Sequence, residues 1–318
     1  MTLKKLAQLA SVSVSVASKA FSGSEDVSDA MREHVFAVAR ANGCFQQFYH
    51  APYDRPVVAV IIPEVISEYY VHYMQALRRG IEESGCTMLL SISNFDDEMK
   101  AELVRYYTEY SKVDALVVFG AMPEGVSAPS TVLASISKGE SGADITVGSS
   151  LDEGLAEAID VLLQKGHRRI AYVGEAFTEG KGAMMRALFT ERGLDLPSPY
   201  YICSRERFEA AGRDGVARLW ALPERPTAII GAYGYITRGI LSALEARGAS
   251  VPRDVAVVSM DSDPAPLYPS LDVACIPSGI EGVAEALVKL LLERLHGKKQ
   301  KAPEVLLLPT MFYKGNTI

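Results

Sequence analysis

The sequence predicts a small all-α head followed by a two-lobed α/β unit built on parallel sheets. Three observations carry this expectation. Near the start, Leu3, Leu6, Ala7 and Ala10 fall at i, i+3, i+4 and i+7, one face of a helix. The stretch HAPYDRP (50–56) has two prolines and no apolar periodicity, which reads as a linker. Beyond it, short β-branched runs alternate with longer helical patterns, which implies parallel sheets covered by helices on both faces.

The head contains one ambiguous segment, LASVSVSVASK (9–19), where serine and valine alternate. Strict alternation suggests a half-buried strand. A lone strand there would lack a partner, because its neighbours are helical. Helix, turn, helix fits better. A first helix spans roughly 3–10, the turn is Ser11-Val12-Ser13, and Ser13 caps a second helix over roughly 14–21. In the second helix Val16, Ala17, Ala20 and Phe21 share one face, while Val14, Ser15, Ser18 and Lys19 point outward. Small Ala7 and Ala17 let the two helices cross closely. This is the helix-turn-helix arrangement, whose second helix enters the DNA major groove. Ser28 then caps a third helix, with Asp29 in its first turn and Gly43 at its end.

The body shows eight strand-like runs: 57–62, 87–93, 114–120, 143–148, 169–174, 227–232, 254–260 and 272–276. YYVHYMQALRRGIEESG and EGLAEAIDVLLQKG are typical of the helical stretches between them. So many strands in roughly 260 residues fit two layered lobes better than one core. Ligands of open α/β sheets sit beyond the carboxyl ends of the strands, here in a cleft between lobes.

Composition excludes several classes. The 318 residues are 48% hydrophobic and 22% charged, as in ordinary globular proteins. No apolar run approaches the roughly 18 residues of a membrane helix, and the first residues do not read as a signal peptide. Cys44, Cys86, Cys203 and Cys275 are too scattered for a zinc or redox motif and are expected as free thiols in the cytoplasm. The net charge is −7, yet residues 1–50 hold five basic against four acidic side chains. DNA binding by so neutral a head should neutralise few phosphates and depend shallowly on salt. GEAFTEGKG (174–182) lacks the spacing and the Ser/Thr of a phosphate-binding loop. His167 has no nucleophile motif nearby and is expected to make a structural hydrogen bond at a turn. The other histidines lack metal-ligand spacing. Neither enzyme activity, a cofactor nor a metal is expected.

Residues 2–43 resemble the DNA-binding domain of the lac repressor family. LLQKGHRRIAYVG (162–174) resembles a segment of that family's sensor domain. LPERPTAIIGA, followed by GILSALEARGASVPRDVAVVSMDSDP, resembles its final third. Three motifs in the right order cover nearly the whole chain. The resemblance implies a homodimeric repressor binding a pseudo-palindromic operator, with a two-lobed, periplasmic-binding-protein-like sensor domain controlled by a small molecule. The implied division is a helix-turn-helix domain over 1–46, a linker with a degenerate hinge over 47–56, and a sensor and dimerisation domain over 57–318. In the sensor, lobe 1 takes about 57–148 and 277–300, and lobe 2 takes about 149–276 and 301–318. The run HGKKQKAP (296–303) then reads as a solvated crossover between lobes.

Carried over by position, base reading falls on Val14, Ser15 and Lys19, and phosphate contact on Ser13 and Ser18. Thr2 and Ser28 join the phosphate set through the N-termini of their helices. Valine suits a thymine methyl, serine several base edges, and lysine guanine or phosphate. Ser11 stands where the family usually has glycine. Where the family has a Y-x-P-N entry and a hinge helix with a leucine wedge, this chain has Cys44, Gln46, Gln47 and, further on, Pro52. Proline disfavours a full hinge helix. Phe48, Tyr49 and Tyr53 are therefore expected to pack against the sensor domain or the partner's hinge, with a minor-groove wedge as the alternative. In the cleft, Lys181 takes the place of an effector-gripping arginine, Asp261 matches a ligand-binding aspartate, and Tyr233-Gly234 replaces an Asn-Asp pair. Tyr69, Tyr70 and Tyr73 lie near the usual aromatic wall. An aspartate, a lysine and aromatic faces suit a sugar or sugar derivative. Losing the Asn-Asp pair leaves open a non-sugar effector, a constitutive regulator with an unresponsive cleft, or a solute-binding module without regulatory output.

Overall fold

The computed structural model describes residues 1–49, 53–262, 270–297 and 302–318. The chain divides into two compact units, Met1–Arg55 and Pro56–Ile318.

The first unit is all-helical: α1 (Leu3–Leu9), α2 (Val14–Phe21), α3 (Asp29–Ala41) and a single turn α4 (Phe45–Phe48). The period-two run is thus turn, cap and helix. Each of the first three helices starts at a hydroxyl that accepts a backbone N–H. Thr2 Oγ1 accepts from Lys5 at 3.3 Å, Ser13 Oγ from Val16 at 3.1 Å, and Ser28 Oγ from Met31 at 3.4 Å. Leu6, Ala10, Ala20, Phe21, Val35, Phe36 and Ala39 form the core. Arg32 ties the α2–α3 connection by donating to the carbonyls of Ala20, Ser24 and Val27.

Phe48 and Tyr49 depart from expectation. Phe48 packs on Phe21 with ring centres 5.6 Å apart, and Tyr49 stacks on Phe45 at 4.6 Å. Burying aromatic area inside this small head fixes them in its own core. Pro52 lies outside the described residues.

Ser11 adopts φ +54°, the left-handed region that disfavours a Cβ. Ser11→Gly should therefore stabilise the head by roughly 0.5–1 kcal/mol, the relief of strain exceeding glycine's extra unfolded-state entropy. Hydrogen exchange of the α1 and α2 amides should slow by roughly two- to fivefold. Unchanged or faster exchange would show that Ser11 carries no conformational cost.

The second unit holds two parallel sheets. Its elements run β1 (Val57–Ile62), α5 (Glu68–Glu83), β2 (Thr87–Ile92), α6 (Asp97–Arg105), β3 (Ala115–Phe119), β4 (Val132–Ile136), β5 (Ile145–Ser150), α7 (Asp152–Gln164), β6 (Ile170–Glu175) and α8 (Glu179–Glu191). They continue as β7 (Tyr201–Ser204), α9 (Phe208–Trp220), β8 (Ala228–Gly231), α10 (Gly234–Glu245), β9 (Ala256–Ser259), β10 (Ala274–Cys275), α11 (Ile280–Leu295) and β11 (Glu304–Pro309). The strand orders are β11-β5-β4-β3-β1-β2 and β10-β9-β8-β6-β7. Central strands such as VVAVII are buried on both faces, which explains their unbroken apolar runs. In the second lobe α9 and α10 pack closely because Gly212 and Gly239 face the opposing backbone, where a Cβ would clash.

One boundary needs correction. Residues 304–309 do not belong to lobe 2: β11 pairs in parallel with β5 at the edge of the first sheet. Only the chain after β11 reaches lobe 2, where Tyr313 bridges Cys275 and Thr317 bonds Val257 and Ala274. The segment between α11 and β11 therefore connects two elements of the same lobe and is no crossover. Its residues 298–301 lie outside those described. Strands β4, β7 and β11 also add to the eight expected from sequence.

Candidate functional site

Between the lobes of the second unit lies a cleft of about 590 Å³. It opens where the carboxyl ends of both sheets meet, the usual ligand position for this architecture. Lobe 1 contributes Glu64 after β1, Tyr69 and Tyr70 from the first turn of α5, Phe95 after β2 and Lys138 after β4. Lobe 2 contributes Glu175 at the end of β6, Phe177, Lys181 from α8, Arg207 and Phe208 after β7, Tyr233 and Tyr235 after β8, and Asp261 after β9.

Two ion-pair groups organise these walls. At one, Lys181 Nζ lies 2.6 Å from Asp261 Oδ2, donates to the Ala232 carbonyl at 3.0 Å and sits 5.6 Å over the Tyr233 ring. Asp261 holds φ +46°, a conformation aspartate tolerates better than most residues. At the other, the Arg207 guanidinium grips Glu64 with two parallel bonds of 3.0 and 3.1 Å. Its Nε lies 3.6 Å from Glu175, whose other oxygen accepts the Phe208 N–H at 3.0 Å. The guanidinium also stacks over Phe208 at 4.4 Å and Phe177 at 4.9 Å. Burial pushes the phenols of Tyr69, Tyr70 and Tyr233 up, aided by Asp261 at Tyr69, by Glu64 at Tyr70 and by Glu175 at Tyr233. All three stay protonated.

Several contacts cross the cleft, among them Arg207 lying 5.8 Å over the Phe95 ring. Glu64 of lobe 1 pairs with Arg207 of lobe 2. Phe95 stacks on Phe177 at 4.6 Å. Glu68 at the start of α5 meets Arg238 of α10 at 3.3 Å. The lobes are closed on each other by their own side chains.

In the first unit, Ser13, Val14, Ser15, Ser18 and Lys19 form an exposed face of α2, while Ala17, Ala20 and Phe21 are buried behind it. Lys19 Nζ lies 2.7 Å from Asp26, whose carboxyl it holds below the usual range. Arg40 lies 4.5 Å over Phe45 and 3.5 Å from Glu33. Lys4 and Lys5 make no ion pair among the described residues, and Arg32 bonds only backbone carbonyls.

Comparison with known proteins fixes the family. A model of the periplasmic binding protein-like domain matches residues 159–318, half of the chain. Catabolite control protein A of Priestia megaterium is 24% identical over 281 residues, covering 82% of each chain. The ribose operon repressor of Escherichia coli K12 is 21% identical over 337 residues and 99% of each. This chain belongs to the lac repressor family. Among solved structures with its fold is the lac repressor dimer bound to operator and an anti-inducer, with TM-score 0.73 at 18% identity over 100% of this chain and 98% of that one. Another is the transcriptional regulator CelR with cellobiose, with TM-score 0.64 at 20% identity over all of both chains.

Within this family member, five of the six cleft residues named from sequence line one cavity: Tyr69, Tyr70, Lys181, Tyr233 and Asp261. Tyr73 does not. It is 1% exposed and packs edge-on against Tyr69 and Phe119 beneath the wall. One helical turn after Tyr69, it shares that residue's face but meets the sheet instead of the cleft. Thr2, Ser13 and Ser28 use their oxygens as caps, and each hydroxyl hydrogen remains able to donate to a phosphate. Sequence reasoning missed Glu64, Phe95, Lys138, Glu175, Phe177, Arg207, Phe208 and Tyr235. The position of each just beyond a strand end, or in the turn after it, was the available signal. His167 bonds Thr227 at 3.1 Å, a turn contact between two strand starts. Among the described residues no helix is long and apolar enough to cross a membrane.

Proposed function

We propose that this chain is a cytoplasmic transcriptional repressor that acts without catalysis. As a homodimer it binds a pseudo-palindromic operator through α2, under control of a sugar-like small molecule in the interlobe cleft. The observation that carries this reading is the pairing of two features in one chain: a capped helix with a polar exposed face, and an aromatic cleft at the strand ends of a sensor fold. Val14, Ser15 and Lys19 are the proposed base readers, and Thr2, Ser13, Ser18 and Ser28 the phosphate contacts. Tyr69, Tyr70, Tyr233, Lys181 and Asp261 are the proposed effector contacts. A ligand acts by changing the relative population of two lobe orientations.

A thermal-shift screen of sugars, sugar phosphates and nucleosides should give a stabilising ligand that also changes operator affinity. Asp261→Ala and Lys181→Ala should each weaken that ligand by about tenfold or more, because a charge-assisted hydrogen bond is lost. A ligand indifferent to both substitutions would move the site elsewhere. Operator affinity unchanged by every cleft ligand would leave a constitutive regulator, the second reading, which the cross-lobe contacts favour.

A further inference from the structure

At one end of the cleft four carboxylates gather around two guanidinium groups, with Glu64 and Glu68 from lobe 1 and the others from lobe 2. Arg207 serves Glu64 and Glu175, and Arg238 serves Glu68 and Glu209 at 3.3 and 3.1 Å. Of these groups Glu64, Glu68, Glu175 and Arg207 line the cleft, so that end carries two more carboxylates than guanidinium groups. Glu64 and Glu175 are 6% and 2% exposed, so water does little to offset the excess. Aromatic faces of lobe 2 line the same end. The arginines already lie over Phe208, Phe177 and, at 4.2 Å, Tyr235. Ring faces and carboxylates together favour an organic cation. The other end differs: Asp261 is matched by Lys181, and Lys138 lines the cleft with no ion pair among the described residues. That end suits hydroxyl groups, which donate to a carboxylate and accept from an ammonium.

We infer that the cleft takes an aminated sugar or aminopolyol, its protonated amine against Glu64, Glu175 and Glu68 and its hydroxyls toward Asp261, Lys181 and Lys138. This rests on the cleft being the effector site. The amine enters beside Arg207, where it supplies a positive charge that this end of the cleft lacks. A neutral sugar of the same shape leaves that excess in place.

The test is calorimetric titration of the full chain with matched pairs: D-glucosamine and D-glucose, D-galactosamine and D-galactose, 1-amino-1-deoxy-D-sorbitol and D-sorbitol. At least one amine should bind about tenfold or more tightly than its neutral counterpart, as expected for replacing a neutral hydrogen bond by a charge-assisted one. N-acetyl-D-glucosamine, which keeps the bulk and loses the charge, should not share any advantage of D-glucosamine. Glu175→Gln should remove the preference. Glu68→Gln, half-exposed on the rim, should reduce it several-fold and keeps the test open if Glu175→Gln does not fold. Neutral members binding as tightly as the amines would overturn the amine while keeping the effector cleft. No binding by any amine would also overturn it, and the wider screen above then decides the cleft independently.

Discussion

Ala17→Leu should abolish specific operator binding while the cleft unit stays folded and keeps its ligand. Ala17 is fully buried on the inner face of α2, beside Ala20 and Phe21. Leucine adds three heavy atoms where helices of a small head already touch. Overpacking of this kind costs roughly 1–3 kcal/mol. A unit of about fifty residues has little stability to lose, because it buries a smaller fraction of its surface than a larger domain does. Loss of the α2 orientation removes base reading altogether, so affinity should fall toward the non-specific level, by about 10³-fold or more. Because Met1–Arg55 and Pro56–Ile318 are separate compact units, the thermal transition of the second should not move. Ser15→Ala, on the exposed face of the same helix, provides the contrast. It should leave the head folded and weaken the operator by roughly 1–3 kcal/mol, the worth of a lost base contact. Gel-shift titration, with circular dichroism of each variant, distinguishes the two. Parental affinity in Ala17→Leu would mean that α2 does not position the DNA-reading face.

What was legible in the sequence follows from the range of the interactions concerned. The head was readable because its determinants are local: Ser13 and Ser28 each bond a backbone N–H three residues on. β4 was not, because VLASI breaks its apolar run with Ser135, which is buried and satisfied by the Gly120 carbonyl at 2.6 Å. β11 is apolar, yet its partner β5 lies more than 150 residues away in the chain, and nothing near it indicates which lobe it joins. The cleft divides in the same way. Lys181, Asp261 and Tyr233 sit in segments with family character. Glu64 and Arg207, 143 residues apart, belong to no motif and become a pair only when the lobes meet.

That pair leads to the largest expected change within the sensor unit: Arg207→Ala should open the cleft. The substitution removes a bidentate bond and leaves Glu64 and Glu175 buried without their guanidinium. Stranding a buried charge costs about 3–5 kcal/mol. The Arg207 side chain is 34% exposed, which lowers the expected loss to about 2–3 kcal/mol. Parting the lobes lets water reach Glu64 and relieves most of that cost, so opening is the expected response rather than unfolding. Small-angle scattering should report a larger radius of gyration, and denaturant titration a lower unfolding free energy. Identical compaction and stability would show that the pair does not hold the lobes. Glu64→Gln should open the cleft less, since an amide can still accept one of the two bonds. The Arg207–Glu64 bond and the Phe95–Phe177 stack bias the lobes toward closure before any ligand binds. A ligand that merely closes the cleft then acts on a population already biased toward closure. Control by an effector therefore requires that the ligand compete with the cross-lobe contacts, either replacing Glu64 and Phe95 as partners of lobe 2 or favouring the open form. In Arg207→Ala the same ligand acts on an open resting state, so its effect on operator affinity should grow or reverse in sign. An unchanged ligand response in that variant would place the switch outside the Arg207–Glu64 contact.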